Sequence, residues 1–216
     1  MSLTLESFTP FSALPQDSMQ NLLQITTTKT FVSKEIILYE GDISQNLYFL
    51  LNGSVKLYKV GRFENEVFLG ILERGLLLDC TLNAKTFTSF CNLECICDSL
   101  VACFDGAKLQ ELLKLDFNIL TLFFEATAQK LHLFSEVIQK NLIFDSTAKL
   151  AYSLFTEIDA FNGRKKQENA ALLNIQPETL SRILNKLHRD SILATDANGK
   201  IKILDSKKLQ NIFKGS

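Results

Sequence analysis

The stretch QENAALLNIQPETLSRILNKL, Gln167 to Leu187, reads as a short helix, a tight turn and a second helix bearing a polar stripe. Pro177 suits the first position of the second helix, where no N–H is needed and proline's fixed φ already matches. Leu180, Ile183, Leu184 and Leu187 then follow the helical repeat and require a core. The opposite side carries Glu178, Ser181, Arg182, Asn185 and Arg189, whose hydrogen-bonding groups suit base edges and phosphates. This pattern predicts a helix-turn-helix that reads double-stranded DNA.

Charge is distributed to match. The 216 residues carry a net charge of −1, but from Arg164 to Ser216 there are 11 Lys and Arg against 5 acids, hence +6, leaving −7 on the rest. An acidic body with a basic terminal module suits a regulator with a separate DNA-binding domain. After the second helix, Ile192-Leu193 and Lys200 to Leu204 flank Asp196-Ala197-Asn198-Gly199, which predicts a hairpin or wing. Before it, Asp145-Ser146-Thr147 is an N-cap signal for a helix over Ala148 to Ile158, followed by a loop over Asp159 to Lys166.

Toward the N-terminus the texture changes. From Ala107 the period is helical, and Leu120, Phe124, Thr127, Leu131, Phe134 and Ile138 are spaced as in a coiled-coil seam, which predicts a homodimer. Leu122, Phe123, Ala126, Leu133 and Val137 form a second apolar surface that can meet the preceding domain. Between Thr30 and Phe104 run short strands, including Ile36 to Tyr39, Leu47 to Leu51, Ser54 to Val60 and Glu66 to Leu72. Asn52-Gly53 between two of them is a strong hairpin signal. The expected class is α+β: an antiparallel β domain over 1–106, a dimerisation helix over 107–140 and a winged helix-turn-helix over 141–216. Asn141 to Phe144 is the candidate hinge.

In this order the pieces resemble the CRP/FNR superfamily of bacterial transcription regulators. Tyr39-Glu40-Gly41-Asp42 and Leu47 to Val55 are similar to the opening of the family's cyclic-nucleotide-type β-roll, and Phe144 to Ala151 to the start of its DNA-binding domain. Pro177-Glu178-Thr179-Leu180-Ser181-Arg182 resembles the FNR-type recognition helix, whose Glu-x-x-Ser-Arg triplet reads DNA. Glu178, Ser181 and Arg182 are then the base-reading residues. Arg182 can bond guanine O6 and N7 together, and Glu178 can accept from cytosine N4. The resemblance implies TTGAT-like half-sites in an inverted repeat, and RNA polymerase as a partner. A two-fold dimer sets such half-sites about 34–36 Å apart. Where cyclic-AMP-type members carry an extra base-reading arginine, this chain has Pro177. Lys165, Lys166, Thr179, Arg189 and Lys200 are candidate phosphate contacts, which position the protein without specifying sequence.

The sensor region departs from the family's cyclic-nucleotide pattern. No arginine lies between Arg74 and Arg164, so the usual charge-assisted phosphate anchor is missing, and the family's Thr-Ser pair corresponds to Phe134-Ser135. No response to cyclic AMP is expected. His132, Phe134 and Ser135 are the candidate effector-pocket residues. Haem remains open, with His132 and either Cys80 or Met19 as axial ligands, as does the absence of any effector. The five cysteines lack Cys-x-x-Cys spacing and none precedes Cys80, which argues against an iron–sulfur cluster. No metal site is expected. The two histidines, His132 and His188, both lie outside the β region, and no phosphate-cradling or nucleophile motif occurs, so an enzyme is not expected. An adaptor with a vestigial DNA-binding domain is the competing reading. No basic and apolar leader precedes Ser7 and no run approaches membrane-spanning length, which with the cysteine usage points to a reducing cytosol.

Overall fold

The computed structural model describes residues 5–61, 65–78 and 86–214. It divides into two compact units, Met1–Val60 with Leu69–Phe134, and Gly61–Phe68 with Ser135–Ser216. Among the described residues no helix is long and apolar enough to cross a membrane.

In the first unit two short 3-10 turns, Leu5–Ser7 and Phe11–Ala13, precede α1 (Gln16–Leu23), which is followed by β1 (Thr26–Phe31), β2 (Ile36–Leu38), β3 (Ile43–Ser44), β4 (Asn46–Asn52) and β5 (Val55–Val60). Next come β6 (Glu66–Leu72), whose first three residues fall in the second unit, then β7 (Gly75–Leu76), β8 (Phe87–Thr88), β9 (Asn92–Cys95) and β10 (Ser99–Asp105). Two four-stranded sheets result, ordered β1-β10-β4-β7 and β2-β9-β5-β6, with β3 and β8 as a separate antiparallel pair. Side chains alternate across a strand, and here both faces of the central strands are covered. On β4, Leu47, Phe49 and Leu51 join the helix-side core while Leu50 joins the core shared with Val55, Leu57 and Leu93. On β10, Ala102 and Phe104 take the first side, Val101 and Cys103 the second. That is why these strands read as continuous apolar runs. Each fully buried Leu or Phe contributes about 1.5–3 kcal/mol relative to exposure.

The expected Asn52-Gly53 hairpin is corrected: β4 and β5 lie in different sheets, and the turn carries the chain from one to the other. Gly53 is needed there for two reasons. Its φ is +114°, and a Cβ would sit 2.3 Å from Ser99 Oγ.

The stretch 107–140 comprises two helices rather than one, α2 (Gly106–Leu115) and α3 (Phe117–Ile138). Asp116 separates them in an extended conformation, and its Oδ1 accepts from the N–H groups of Asn118 (2.9 Å) and Ile119 (3.2 Å), capping α3. Burial opposes ionisation of Asp116, but hydrogen bonds from Ser18, Ile119 and Asn118 outweigh it and hold the carboxyl below its ordinary value. Past Ile138 the helix loosens into a π-helical turn, Gln139–Ile143, closed by Phe144 N–H to Gln139 O at 3.2 Å. The candidate hinge falls on this turn.

The second unit contains α4 (Ser146–Gly163), α5 (Lys166–Leu172), α6 (Pro177–Arg189), β11 (Leu193–Thr195), β12 (Ile201–Ile203) and α7 (Ser206–Lys214). Asp145 caps α4 through a 2.7 Å bond from Ala148 N–H, as its sequence suggests. The loop expected over Asp159 to Lys166 is instead mostly helix: α4 continues to Gly163 past a kink at Glu157 (φ −142°, ψ 41°). Phe161 drives this, because its ring is needed in the core beside Leu150, Leu154, Leu180 and Leu187. The terminal helix α7 was not anticipated. It buries Leu209 and stacks Phe213 edge-on against Tyr152, with ring centroids 5.3 Å apart.

Candidate nucleic-acid interface

Helix α6 begins at Pro177, behind Gln176 in an extended conformation. Glu178 lies in its first turn and Lys186 and Arg189 in its last, each favourable toward the helix dipole. Leu180, Ile183 and Leu187 are buried, which fixes the rotation of the helix about its axis and turns the other face outward. That face is a shallow open groove lined by Glu178, Ser181, Arg182, Asn185 and Arg189. At 1.5 Å per residue, the row from Glu178 to Arg189 spans about 16 Å.

Among the described residues, the side chains of Glu178, Arg182, Asn185 and Arg189 make no hydrogen bond or ion pair. Ser181 differs: its hydroxyl donates to Pro177 O at 2.8 Å, so only its lone pairs face outward. As a base reader Ser181 would be an acceptor.

The turn between α5 and α6 is set by Asn174, which takes φ +53°, a region asparagine tolerates better than most residues. Its amide exchanges two bonds with the main chain of Phe68: Phe68 N–H to Asn174 Oδ1 at 2.9 Å and Asn174 Nδ2 to Phe68 O at 2.8 Å. Sequence reading passed over this residue, although an asparagine ending a short helix is a turn signal.

Of the expected phosphate contacts, Arg189 lies in the groove with the base-reading residues. Lys165 and Lys166 are exposed where α5 begins, with Lys165 N–H donating to Glu168 Oε2 at 2.9 Å. Thr179 is half-buried, and Lys200 is exposed on the wing. The wing is held by Asp196, whose Oδ1 accepts from the N–H groups of Asn198 (2.9 Å) and Lys200 (3.0 Å). The bond from Lys200 is the chief reason that carboxyl sits below its ordinary value. Asn162 ties the wing to α4 by bonds to both N–H and C=O of Ile201, at 2.9 and 3.0 Å.

Along α3 the expected seam divides. Phe124, Leu131 and Ile138 are 70%, 69% and 55% exposed, and Phe117, at 78%, extends them in steps of seven. Thr127 bonds its own helix, to Phe123 O at 2.8 Å. Leu120 packs against the helix-side core, and Phe134 meets Phe90 edge-on at 4.8 Å. Those two are thus partly committed within the subunit.

The expected effector pocket is not assembled as written: His132 and Ser135 are exposed, while Phe134 packs inward. The residue that sequence reasoning missed is Lys130, only 5% exposed, whose ammonium donates to Leu77 O at 3.1 Å and lies 5.0 Å from the Phe90 ring centroid. Its sequence neighbours Gln129 and His132 are polar, so nothing local marks Lys130 as the buried member of the group. Met19 is packed in the core and His132 faces outward; Cys80, with Asp79, lies outside the described residues. Cys91, Cys95 and Cys103 are buried in one apolar cluster and Cys97 is exposed. No group of three His, Cys, Asp or Glu among the described residues could hold a metal.

A β-roll followed by a long helix and a winged helix-turn-helix, with a free polar row on the second helix, defines a DNA-binding transcription regulator. Residues 28–116 match the cyclic nucleotide-binding domain family and residues 163–212 the Crp-like helix-turn-helix domain. The chain belongs to the CRP/FNR superfamily. Among solved structures it is similar to FixK2 from Bradyrhizobium japonicum, at 18% identity and TM-score 0.63, covering 89% of this chain and 99% of that one. It is also similar to a CooA mutant from Carboxydothermus hydrogenoformans, at 19% identity and TM-score 0.65, covering 88% of each chain. The c-di-GMP responsive regulator CLP of Xanthomonas campestris matches at 18% identity and TM-score 0.64, covering 88% of this chain and all of that one. No curated protein matches the chain in sequence.

Proposed function

We propose that the protein acts as a homodimer on an inverted-repeat operator with TTGAT-like half-sites, and that it works in the cytoplasm with RNA polymerase as its partner. The observation that carries this reading is the row Glu178, Arg182, Asn185 and Arg189, four polar side chains held outward with no partner among the described residues. Glu178 and Arg182, one turn apart, supply an acceptor for cytosine N4 and a two-pronged donor for guanine O6 and N7. Lys165, Lys166, Thr179 and Lys200 contact phosphates at the flanks. The stripe Phe117, Phe124, Leu131 and Ile138 supplies the seam between two copies, because residues seven apart keep to one side of a supercoiled helix.

The effector is not cyclic AMP. No arginine is available between Arg74 and Arg164 to hold its phosphate, and Phe134 fills the place of a purine-binding hydroxyl. The test is fluorescence anisotropy on a duplex bearing the inverted repeat and on a scrambled duplex. Selective binding at two subunits per duplex, unchanged by cyclic AMP, supports the reading. Equal affinity for both duplexes overturns it.

A further inference from the structure

We infer that Asn185 is a fourth specificity-determining residue, beside Glu178, Ser181 and Arg182, one that reads an adenine beside the guanine read by Arg182. The inference rests on the DNA-reading assignment of α6 and deepens it. Asn185 follows Arg182 by three residues, about 4.5 Å along the axis, comparable to one base-pair step. With Glu178, Ser181 and Arg182 it completes an i, i+3, i+4, i+7 set, the spacing with which a helix-turn-helix variant such as the homeodomain reads the major groove. All four line the same groove.

The chemistry of the side chain favours a base over a phosphate. A carboxamide offers an N–H donor and a carbonyl acceptor side by side, complementary to adenine N7 and N6–H₂. A neutral amide releases no counterion, so a phosphate position gains far more from lysine or arginine, both of which occur nearby as Lys186 and Arg189. Nor does the fold call for asparagine here. It is a poor helix former in a helix interior, it is exposed, and its amide has no partner among the described residues.

Selection from a randomised duplex pool tests this, using wild-type protein and the variants N185A, N185R and R182A. Thermal melting first confirms that N185A melts with the wild type, as an exposed position should. Wild type is expected to enrich an adenine next to the Arg182 guanine. N185A should keep the guanine but lose discrimination at the adenine by about 5- to 150-fold, the range for one bidentate pair. N185R should replace the adenine preference with guanine. If N185A weakens all sequences alike and leaves every base preference intact, the Asn185 assignment is overturned while DNA reading by α6 stands. If wild type enriches no motif, the reading of α6 falls and Asn185 with it.

Discussion

Arg182 is exposed and unpaired in the described structure, so replacing it removes no fold contact. Arg182→Ala should therefore leave the melting temperature unchanged while costing about 1–3 kcal/mol of operator affinity and relaxing preference at the guanine. Arg182→Lys should recover charge without the fork, and with it only the unselective part of binding. The cysteines behave in the opposite way, because burial defines them. Desolvation pushes the Cys103 thiol up to about 11, with Lys29 working against it, and raises Cys95 despite a hydrogen bond from Ser99. Thiolate is the reactive species, so iodoacetamide at pH 8 should label Cys97 and spare Cys91, Cys95 and Cys103, as read by peptide mass spectrometry in a Cys80→Ser background. A raised folded value also means that Cys103's contribution to stability is complete below pH 9 and is lost as pH rises toward 11. Cys103→Ala should flatten that alkaline decline; an unchanged decline would assign it to other groups.

At the scale of elements, α3 and α6 were legible because each shows a helical repeat with one apolar and one distinct face. The wing was legible from Asp196 to Gly199, whose turn chemistry is local. What was missed depends on contacts far apart in sequence. Gly53 read as a hairpin turn because nothing local tells that Ser99 crowds it or that β4 and β5 part into two sheets. The loop expected before α5 failed for a related reason, since the need to bury Phe161 overrides weak helix propensity near Gly163. Helix α7, by contrast, had a signal that was passed over: Asp205 caps it, with Lys208 N–H donating at 2.9 Å, and Leu209, Ile212 and Phe213 are spaced i, i+3, i+4. Two element-scale outcomes are expected. Asn174→Ala places a Cβ-bearing residue without a side-chain amide at φ +53° and removes both bonds to Phe68. It should lower stability by about 2 kcal/mol in denaturant titration. Leu131→Glu should leave the subunit folded, because Leu131 is 69% exposed, yet give monomers in analytical ultracentrifugation. A persistent dimer would move the seam off the Phe117–Ile138 stripe.

For the whole molecule, the uneven charge has a kinetic and thermodynamic consequence. The basic segment from Arg164 onward carries +6 and the remainder −7. DNA binding should therefore weaken steeply as salt rises, while the acidic remainder keeps the protein off non-specific polyanions through other faces. The central claim is more local than that: α6 enters the major groove and its guanidinium meets a guanine there. Methylation interference tests it most directly, because a methyl on guanine N7 occupies the atom Arg182 would bond. On a duplex from the selected pool, methylating that guanine should block binding in each half-site, at positions about one helical turn apart, and Arg182→Ala should abolish the effect. Binding that is indifferent to N7 methylation, or that is blocked only by methyl groups in the minor groove, would contradict it.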